Sequence, residues 1–211
     1  HGNPETFTDQ NGETTHYTYT AQGYVETTTD PLGHVTRYQY DLFGRMTDMT
    51  AAHGTSDAIT THYVYDELGR KVEATSAYGT SEATTTQYEY DENGNITAMI
   101  DPLLRRTEYQ YNSANLLTAV IYAAHAPAES TTTAYVYDIY GRLTDTTIAS
   151  GTSDASTTHT VYDALGRKID VTTAYGTSSA STTHYQYDVA GRTTFVTTAY
   201  GTSSASTVHY Q

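Results

Sequence analysis

The stretch THYVYDELGRKVEAT, residues 61–75, decides the fold. Tyr63 and Tyr65 are two positions apart, so in an extended strand their side chains lie on the same face. Asp66 and Gly69 are the first and fourth residues of DELG, an arrangement typical of a type I turn closed by a glycine with positive φ. A β-branched segment of strand length follows the turn. The stretch therefore predicts a β-hairpin.

Versions of the pattern Tyr-x-Tyr-Asp-x-x-Gly-Arg recur eight times, with the second Tyr position at 19, 40, 65, 90, 111, 137, 162 and 187. The units are 21–26 residues long, and a shift of 97 residues leaves 28 of the 41 positions in segment 41–81 identical. We therefore expect residues 1–211 to form a single repeat array, a segment of a longer chain. The predicted structural turn residues are Asp41, Gly44, Asp66, Gly69, Asp138, Gly141, Asp163, Gly166, Asp188 and Gly191.

The return from one hairpin to the next takes two forms. The short form is TDPLG, residues 29–33, and the long form is AYGTSSA, residues 174–180. Both are rich in residues that favour turns and exposed loops. Each unit is thus two strands joined by two turns. We predict an all-β fold of tandem β-hairpins, about eight of them, forming one continuous twisted antiparallel sheet or ribbon.

The composition limits what can stabilise such a sheet. The chain has 22 Tyr and 44 Thr but only 30 Leu, Ile, Val and Phe, and its net charge is −14. Few aliphatic residues with a high net charge usually indicate disorder, whereas Tyr and Thr favour strands. We expect stacked tyrosines to replace an aliphatic core. The predicted tyrosine ladder consists of Tyr40, Tyr65, Tyr90, Tyr111, Tyr137, Tyr162 and Tyr187.

The same numbers exclude several classes of protein. The absence of cysteine excludes a disulfide-stapled scaffold. Ten Lys and Arg against 24 Asp and Glu disfavour nucleic acid as a partner. No apolar run approaches the roughly 20 residues of a membrane-spanning helix, so no membrane span is expected.

The segment DPLGHVTRYQYDLFGR, residues 30–45, resembles the YD repeat of RHS proteins, teneurins and the shell proteins of insecticidal toxin complexes. The resemblance covers essentially the whole chain. It implies that each repeat is a β-hairpin and that the hairpins join into a long spiralling sheet. In several members of this family, that sheet closes into a hollow shell around a toxin polypeptide. No stretch matches the self-cleaving segment of the family, so no protease activity is carried over.

The residues suggest no catalytic, metal or cofactor site. His16, His62, His159, His184 and His209 recur at one strand position, with neighbours roughly 9 to 10 Å apart. That spacing is too wide for one metal ion, so we expect exposed strand histidines. Asp91-x-Asn93-x-Asn95 resembles the start of a calcium loop but has Ile96 and Pro102 where Gly and Glu are needed.

Glycan attachment is a possible modification of the turns. Asn95-Ile96-Thr97 is the only N-linked sequon, and the long returns carry clustered hydroxyl groups. The alternative is that these hydroxyls bond to the turn backbone. The candidate attachment residues are Asn95, Thr80, Ser81, Thr177, Ser178, Thr202 and Ser203.

Three functions without enzyme activity follow from a uniform array. The first is a structural segment that builds an extracellular filament, because uniform units propagate by nearest-neighbour contacts. The second is the wall of an RHS-type toxin-encapsulating shell. The third is a cell-surface adhesin that binds glycans. The expected partners are further copies of the chain or continuation of the same array, with possible covalent glycans. The expected location is extracellular or at the cell surface.

Overall fold

A computed structural model describes residues 2–122 and 130–210. All of the regular structure in these residues is β-strand, which confirms the predicted all-β fold. The chain divides into two compact units, His1–Arg105 and Arg106–Gln211. Each unit is an open antiparallel sheet in which every strand pairs with the next one along the chain.

The first unit contains nine strands. They are β1 (Thr6–Thr8), β2 (Thr14–Tyr19), β3 (Val25–Thr29), β4 (Val35–Tyr40), β5 (Met46–Ala51), β6 (Ile59–Tyr65), β7 (Lys71–Ser76), β8 (Thr84–Tyr90) and β9 (Ile96–Ile100).

The second unit also contains nine strands within its described residues. They are β10 (Arg106–Tyr111), β11 (Leu117–Tyr122), β12 (Thr131–Tyr137), β13 (Leu143–Ile148), β14 (Ser156–Tyr162), β15 (Lys168–Thr173), β16 (Ser181–Tyr187), β17 (Thr193–Thr198) and β18 (Ser206–His209). The eight predicted hairpins are the pairs from β2–β3 to β16–β17. With β1 and β18 the described chain holds eighteen strands, which is about nine hairpins.

The hairpin of β6 and β7 shows the geometry that the other hairpins repeat. His62 pairs with Thr75, Tyr63 with Ala74 and Val64 with Glu73, and the register then shifts so that Tyr65 pairs with Lys71. Gly69 has φ +81°, and its N–H donates to the carbonyl of Asp66 at 3.0 Å. A type I turn followed by a left-handed glycine and a bulge gives this register. We name the Asp-x-x-Gly turns of the eight hairpins the YD turns, including those in which Thr20 or Asn112 replaces Asp.

The two faces of each sheet carry different side chains. The register pairs Tyr38 with Met49 and Tyr63 with Ala74 on one face, which we call the tyrosine face. The opposite face carries pairs of threonines whose hydroxyls hydrogen-bond across adjacent strands, as Thr50 and Thr60 do at 2.8 Å. Only Ala98, Ala119, Val120 and Thr160 are buried among the described residues. The sheets are therefore single layers without an aliphatic core.

The long returns place alanine in a conformation that the sequence did not suggest. Ala77 has φ +52° and Gly79 has φ +82°, so both are left-handed. The backbone N–H of Tyr78 donates to the carbonyl of Thr60 at 2.9 Å, which keeps the return attached to β6. The same alanine conformation recurs at Ala52, Ala149, Ala174 and Ala199.

Candidate functional site

The second tyrosine of each YD pair links its own hairpin to the preceding one. The Tyr65 hydroxyl donates to the carbonyl oxygen of Met46 at 2.7 Å, and Tyr90 donates to Lys71 at 2.6 Å. Each acceptor lies at the start of the return strand of the hairpin before. The equivalent donors are Tyr40 to Val25, Tyr137 to Leu117, Tyr162 to Leu143 and Tyr187 to Lys168. This hydroxyl is therefore committed to holding neighbouring hairpins together.

The arginine that closes each turn also links its hairpin to the next one. We call the contact between two neighbouring hairpins a junction. Arg45 donates from Nε to the carboxylate of Asp41 at 2.6 Å and from Nη1 to the carbonyl of Asp66, in the next turn, at 3.1 Å. Its guanidinium carbon lies 4.9 Å from the ring centroid of Tyr65. One side chain thus joins its own turn, the next turn and the next tyrosine. We call this arrangement the staple.

Four staples are complete in the described residues. They join Arg45 to Tyr65, Arg70 to Tyr90, Arg142 to Tyr162 and Arg167 to Tyr187, with distances from the guanidinium carbon to the ring centroid of 4.9, 4.8, 4.7 and 4.6 Å. A cation over an aromatic face contributes about 0.5–1 kcal/mol at an exposed site and more when desolvated. At these four junctions, an arginine guanidinium and not a second tyrosine ring lies over the tyrosine of the predicted ladder. Of the three other members of the predicted ladder, Tyr40 and Tyr137 make the hydroxyl bonds given above, and Tyr111 ends β10.

The aspartates of the YD turns hold the turn backbone. Asp163 accepts the backbone N–H groups of Leu165 and Arg167, both at 2.9 Å, and the Nε–H of Arg167 at 2.7 Å. The hydrogen bond from the Arg167 backbone is the largest cause that holds the pKa of Asp163 below its ordinary value, and partial desolvation opposes it. Asp41, Asp66, Asp138 and Asp188 make the same set of bonds. Gly44, Gly69, Gly141, Gly166 and Gly191 all have positive φ.

One junction in the first unit replaces arginine by an aromatic ring. Tyr24 occupies the arginine position of the first YD turn and stacks on Tyr40, with ring centroids 5.0 Å apart. A side chain at Gly44 would place its Cβ 2.6 Å from Cζ of Tyr24. Gly44 is therefore favoured by its positive φ, and an added side chain there would also displace the end of the Tyr24 ring.

The expectation of exposed histidines is wrong for His62, His159 and His184, which are half-buried. The Nδ1 atom of His62 lies 2.7 Å from the carboxylate of Asp48, and the imidazole stacks on Tyr78 with centroids 4.3 Å apart. Tyr78 comes from the long return and folds back over the sheet. Asp145, His159 and Tyr175 repeat this clasp, as do Asp170, His184 and Tyr200. The partner aspartate and tyrosine could have been found from their constant spacing to the histidine.

The candidate glycan acceptors differ in how their side chains are used. The Asn95 amide donates to the carboxylate of Asp91 at 2.9 Å, so the sequon asparagine is engaged in its turn. The hydroxyls of Thr80, Thr177 and Thr202 each donate to a backbone carbonyl at 2.7 Å. Ser81, Ser178 and Ser203 are exposed at the tips of the long returns.

Within the described part of the chain, no group of three or more His, Asp or Glu side chains is arranged to hold a metal ion. The same residues contain no helix with the length and apolar character needed to span a bilayer.

The RHS Repeat family model matches residues 25–56 and 90–127. These two segments match the RHS repeat. This match confirms the resemblance to YD-repeat and RHS-repeat proteins. The matched segments include the turn that begins at Asp41 and strand β9. No curated protein matches the chain in sequence.

Several solved structures are similar to this chain. The TcdB2-TccC3 complex gives a TM-score of 0.44 at 17% identity, covering 94% of this chain and 14% of that chain. The Tc holotoxin pore of Photorhabdus luminescens gives the same values. A porin-like protein from Bacteroides vulgatus gives a TM-score of 0.28 at 14% identity, covering 96% of this chain and 95% of that chain. The chain thus spans about one seventh of the toxin-complex chains that it matches.

Proposed function

We propose that this chain is a structural, non-catalytic wall segment of an RHS-type shell that encloses another polypeptide, at an extracellular or cell-surface location. The observation that carries the proposal is the staple. The Tyr hydroxyl, the Asp carboxylate and the Arg guanidinium that recur in the motif are engaged in bonds within or between hairpins. Because these three groups recur along the chain, the same bonds can hold each hairpin to the next in one sheet.

The difference between the two faces supports a wall. The tyrosine face carries ring-to-apolar pairs such as Tyr88 with Met99. The opposite face carries threonine pairs and the carboxylates of the clasps, such as Asp48. The two faces of the single-layer sheet differ, since one carries the ladder tyrosines and the other carries carboxylates, threonine hydroxyls and the histidine–tyrosine stacks of the clasps. Such a sheet suits a partition between two environments.

The role of the turn aspartates supports a function without catalysis. A general acid or base needs a side chain free to exchange a proton with a substrate. In the complete staples each turn aspartate already accepts two backbone N–H groups and an arginine N–H, as Asp66 does. The carboxylates of the repeated motif therefore use their hydrogen-bonding capacity to hold the turns.

A filament is the second candidate, favoured by the uniformity of the hairpins. The pairs β6–β7, β14–β15 and β16–β17 share one register, with the same bulge at the second tyrosine position. Identical units that contact only their neighbours can repeat without a stop. A constant rotation and rise per unit would then generate an open fibre.

Electron microscopy of the full-length protein that contains this chain tests the proposal. Discrete hollow particles with a density inside support the shell wall. Long fibres with strands across their axis overturn it in favour of the filament. A compact particle in which the array packs against another domain, leaving no enclosed space, rejects both candidates. A variant in which Arg45, Arg70 and Arg142 are changed to Leu should lower the yield of intact particles if the staples hold the wall.

A further inference from the structure

The YD turns lie together at one end of the strands in each unit. Every strand pairs antiparallel with the next one along the chain, so the YD turns and the returns occupy opposite ends of the sheet. We call the row of YD turns in one unit its YD margin, and the second and third residues of each turn its tip. Because successive YD turns are two strands apart, the tips recur about every 9.5 Å along the margin.

Many of the tips carry large apolar side chains that point into solvent. At least 75% of the residue surface is exposed for Leu42, Phe43 and Leu68 in the first unit and for Ile139, Tyr140, Leu165 and Val189 in the second. In the second unit these residues belong to three consecutive turns. Exposed apolar groups arranged in a row indicate an interaction surface.

The opposite end of the second unit has a different character. Its long returns ASGTSDA, residues 149–155, and AYGTSSA, residues 174–180, hold small and polar residues apart from Tyr175, which stacks on a clasp histidine. In the first unit the short returns also expose Leu32 and Leu103. The contrast between the two ends is therefore sharpest in the second unit.

Open cavities lie between neighbouring turns of the margin. One of about 610 Å³ separates the turns that begin at Asp41 and Asp66, and its lining includes tip residues of both turns. Cavities of about 340 and 370 Å³ lie between further pairs of neighbouring turns, within residues 20–42 and 112–141. They occur at a junction with a complete staple and at junctions without one, so they follow from the spacing of the turns. Tips and cavities at one common spacing make the margin complementary to itself.

The apolar turns of the second unit carry no net charge. Each of the segments 138–142, 163–167 and 188–192 has one Asp and one Arg, and the two side chains bond within the turn, as Asp138 and Arg142 do at 2.6 Å. The whole chain, in contrast, has a net charge of −14. Two copies of the chain therefore meet little like-charge repulsion at these turns, and a basic partner gains no specific attraction there.

We propose that the YD margin is a docking surface for the same margin of a second copy of this chain, with the tips of each copy seated between the tips of the other. A second copy presents its tips at the spacing of the cavities, which an unrelated partner has no reason to share. A contact about a two-fold axis places both margins in equivalent surroundings at once. Such a contact joins one array to another and is separate from the bonds that build the wall.

The contact should be weak, because the tips form a narrow row. Stable interfaces bury about 1,600 Å² in total, and a single row of turns offers less, so we expect a dissociation constant on the order of 10–100 µM. Sedimentation velocity of the chain from about 5 µM to about 1 mM covers this range. Salt at about 0.15 M screens the general repulsion between the two acidic chains. A monomer at every concentration would overturn the proposal.

A matched pair of isoleucines separates the margin from the rest of the surface. Ile139 lies at a tip, and Ile148 is exposed at the opposite end of the same unit, where β13 ends. Ile139→Asp should weaken dimerisation about tenfold or more, because it places a carboxylate in an apolar contact. Ile148→Asp makes the same change in net charge and should leave the dissociation constant within about twofold. Leu165→Asp, at another tip, repeats the test, and equal weakening by Ile148→Asp would overturn the proposal.

A spin label locates the contact without any assumption about its register. The chain has no cysteine, so Ala190→Cys at a tip and Ser178→Cys in a long return each accept a single nitroxide. Labelled copies are mixed with isotope-labelled, unmodified chain, and NMR follows the backbone amides. The label at residue 190 should broaden the amides of Ile139 and Leu165 in the other copy, and the label at residue 178 should not.

Three other results would overturn the proposal and identify a different contact. Broadening of the tip amides by the label at residue 178 would show that the margin docks on the returns of the other copy. Association that leaves the tip amides unchanged and affects β1 and β18 would show pairing through the terminal strands. A chain that stays monomeric but binds phosphatidylcholine vesicles through its tips would assign the margin to a membrane surface.

Discussion

The guanidinium carbon of Arg70 lies 4.8 Å from the ring centroid of Tyr90, a residue of the following hairpin. The same arginine donates to the carbonyl of Asp91 at 2.8 Å. Since Ala98, Ala119, Val120 and Thr160 are the only buried residues in the described part of the chain, contacts of this kind stabilise the array in place of a packed core. The stability of the array therefore depends on junctions that repeat along the chain.

Removing one staple should destabilise the array locally. Arg70→Leu loses the cation over Tyr90 and the hydrogen bond to the Asp91 carbonyl, which we expect to cost about 1–2 kcal/mol in the free energy of unfolding. Urea denaturation measures the change. Arg192→Leu is the matched control, because Arg192 is 83% exposed and its described contact is to Asp188 of its own turn. Equal losses in the two variants would show that the bond within the turn matters and the crossing contact does not.

The hydroxyl of the second tyrosine should matter more than that of the first. Tyr65→Phe removes the 2.7 Å bond to the Met46 carbonyl and should cost about 1 kcal/mol, since a partly buried acceptor loses its donor. Tyr63→Phe is the control, and we expect its effect to stay within about 0.5 kcal/mol. Thermal unfolding of both variants is compared. A Tyr63→Phe loss as large as that of Tyr65→Phe would contradict the assignment of roles within the pair.

One turn carries a strained residue that glycine should relieve. Leu104 has φ +61° in the short return that begins at Asp101, and its side chain is 80% exposed. Left-handed backbone costs a residue with a Cβ about 1–2 kcal/mol. Leu104→Gly should therefore stabilise the first unit by about 0.5–1 kcal/mol, after the greater unfolded-state entropy of glycine is subtracted. Leu103→Gly, without a positive φ, should be neutral or destabilising, and the midpoint of urea unfolding distinguishes the two.

Acid should weaken the turns through their aspartates. The Arg167 backbone N–H is the largest cause that lowers the pKa of Asp163 in the folded state, so the unfolded chain binds the proton more readily. This stabilisation is present above the ordinary pKa of 3.8 and is lost as pH falls through the lower, folded value. Asp163→Asn should reduce the slope of stability against pH in that range. Asn112→Asp should increase it at the YD turn where asparagine stands in place of the turn aspartate, and an unchanged slope in both variants would contradict this account.

The hairpins could be predicted from the sequence because their causes are local. A pair of tyrosines two residues apart fixes which side chains share a face, and Asp66 with Gly69 fixes the turn. The periodic recurrence of that pattern then predicts a tandem antiparallel array. The spacing of the histidines was visible as well, but their burial was not, since it depends on Tyr78 folding back from the next return.

The sequence by itself determined the strands, the YD turns and the faces, because each follows from spacing within a single hairpin. It also determined the absence of an aliphatic core, because the chain has only 30 Leu, Ile, Val and Phe. Only the tertiary structure decided which residues meet across junctions. Arg45 and Tyr65 are 20 positions apart, and nothing in a single hairpin indicates that the guanidinium of one lies on the ring of the next. The pairing register of adjacent hairpins brings them together.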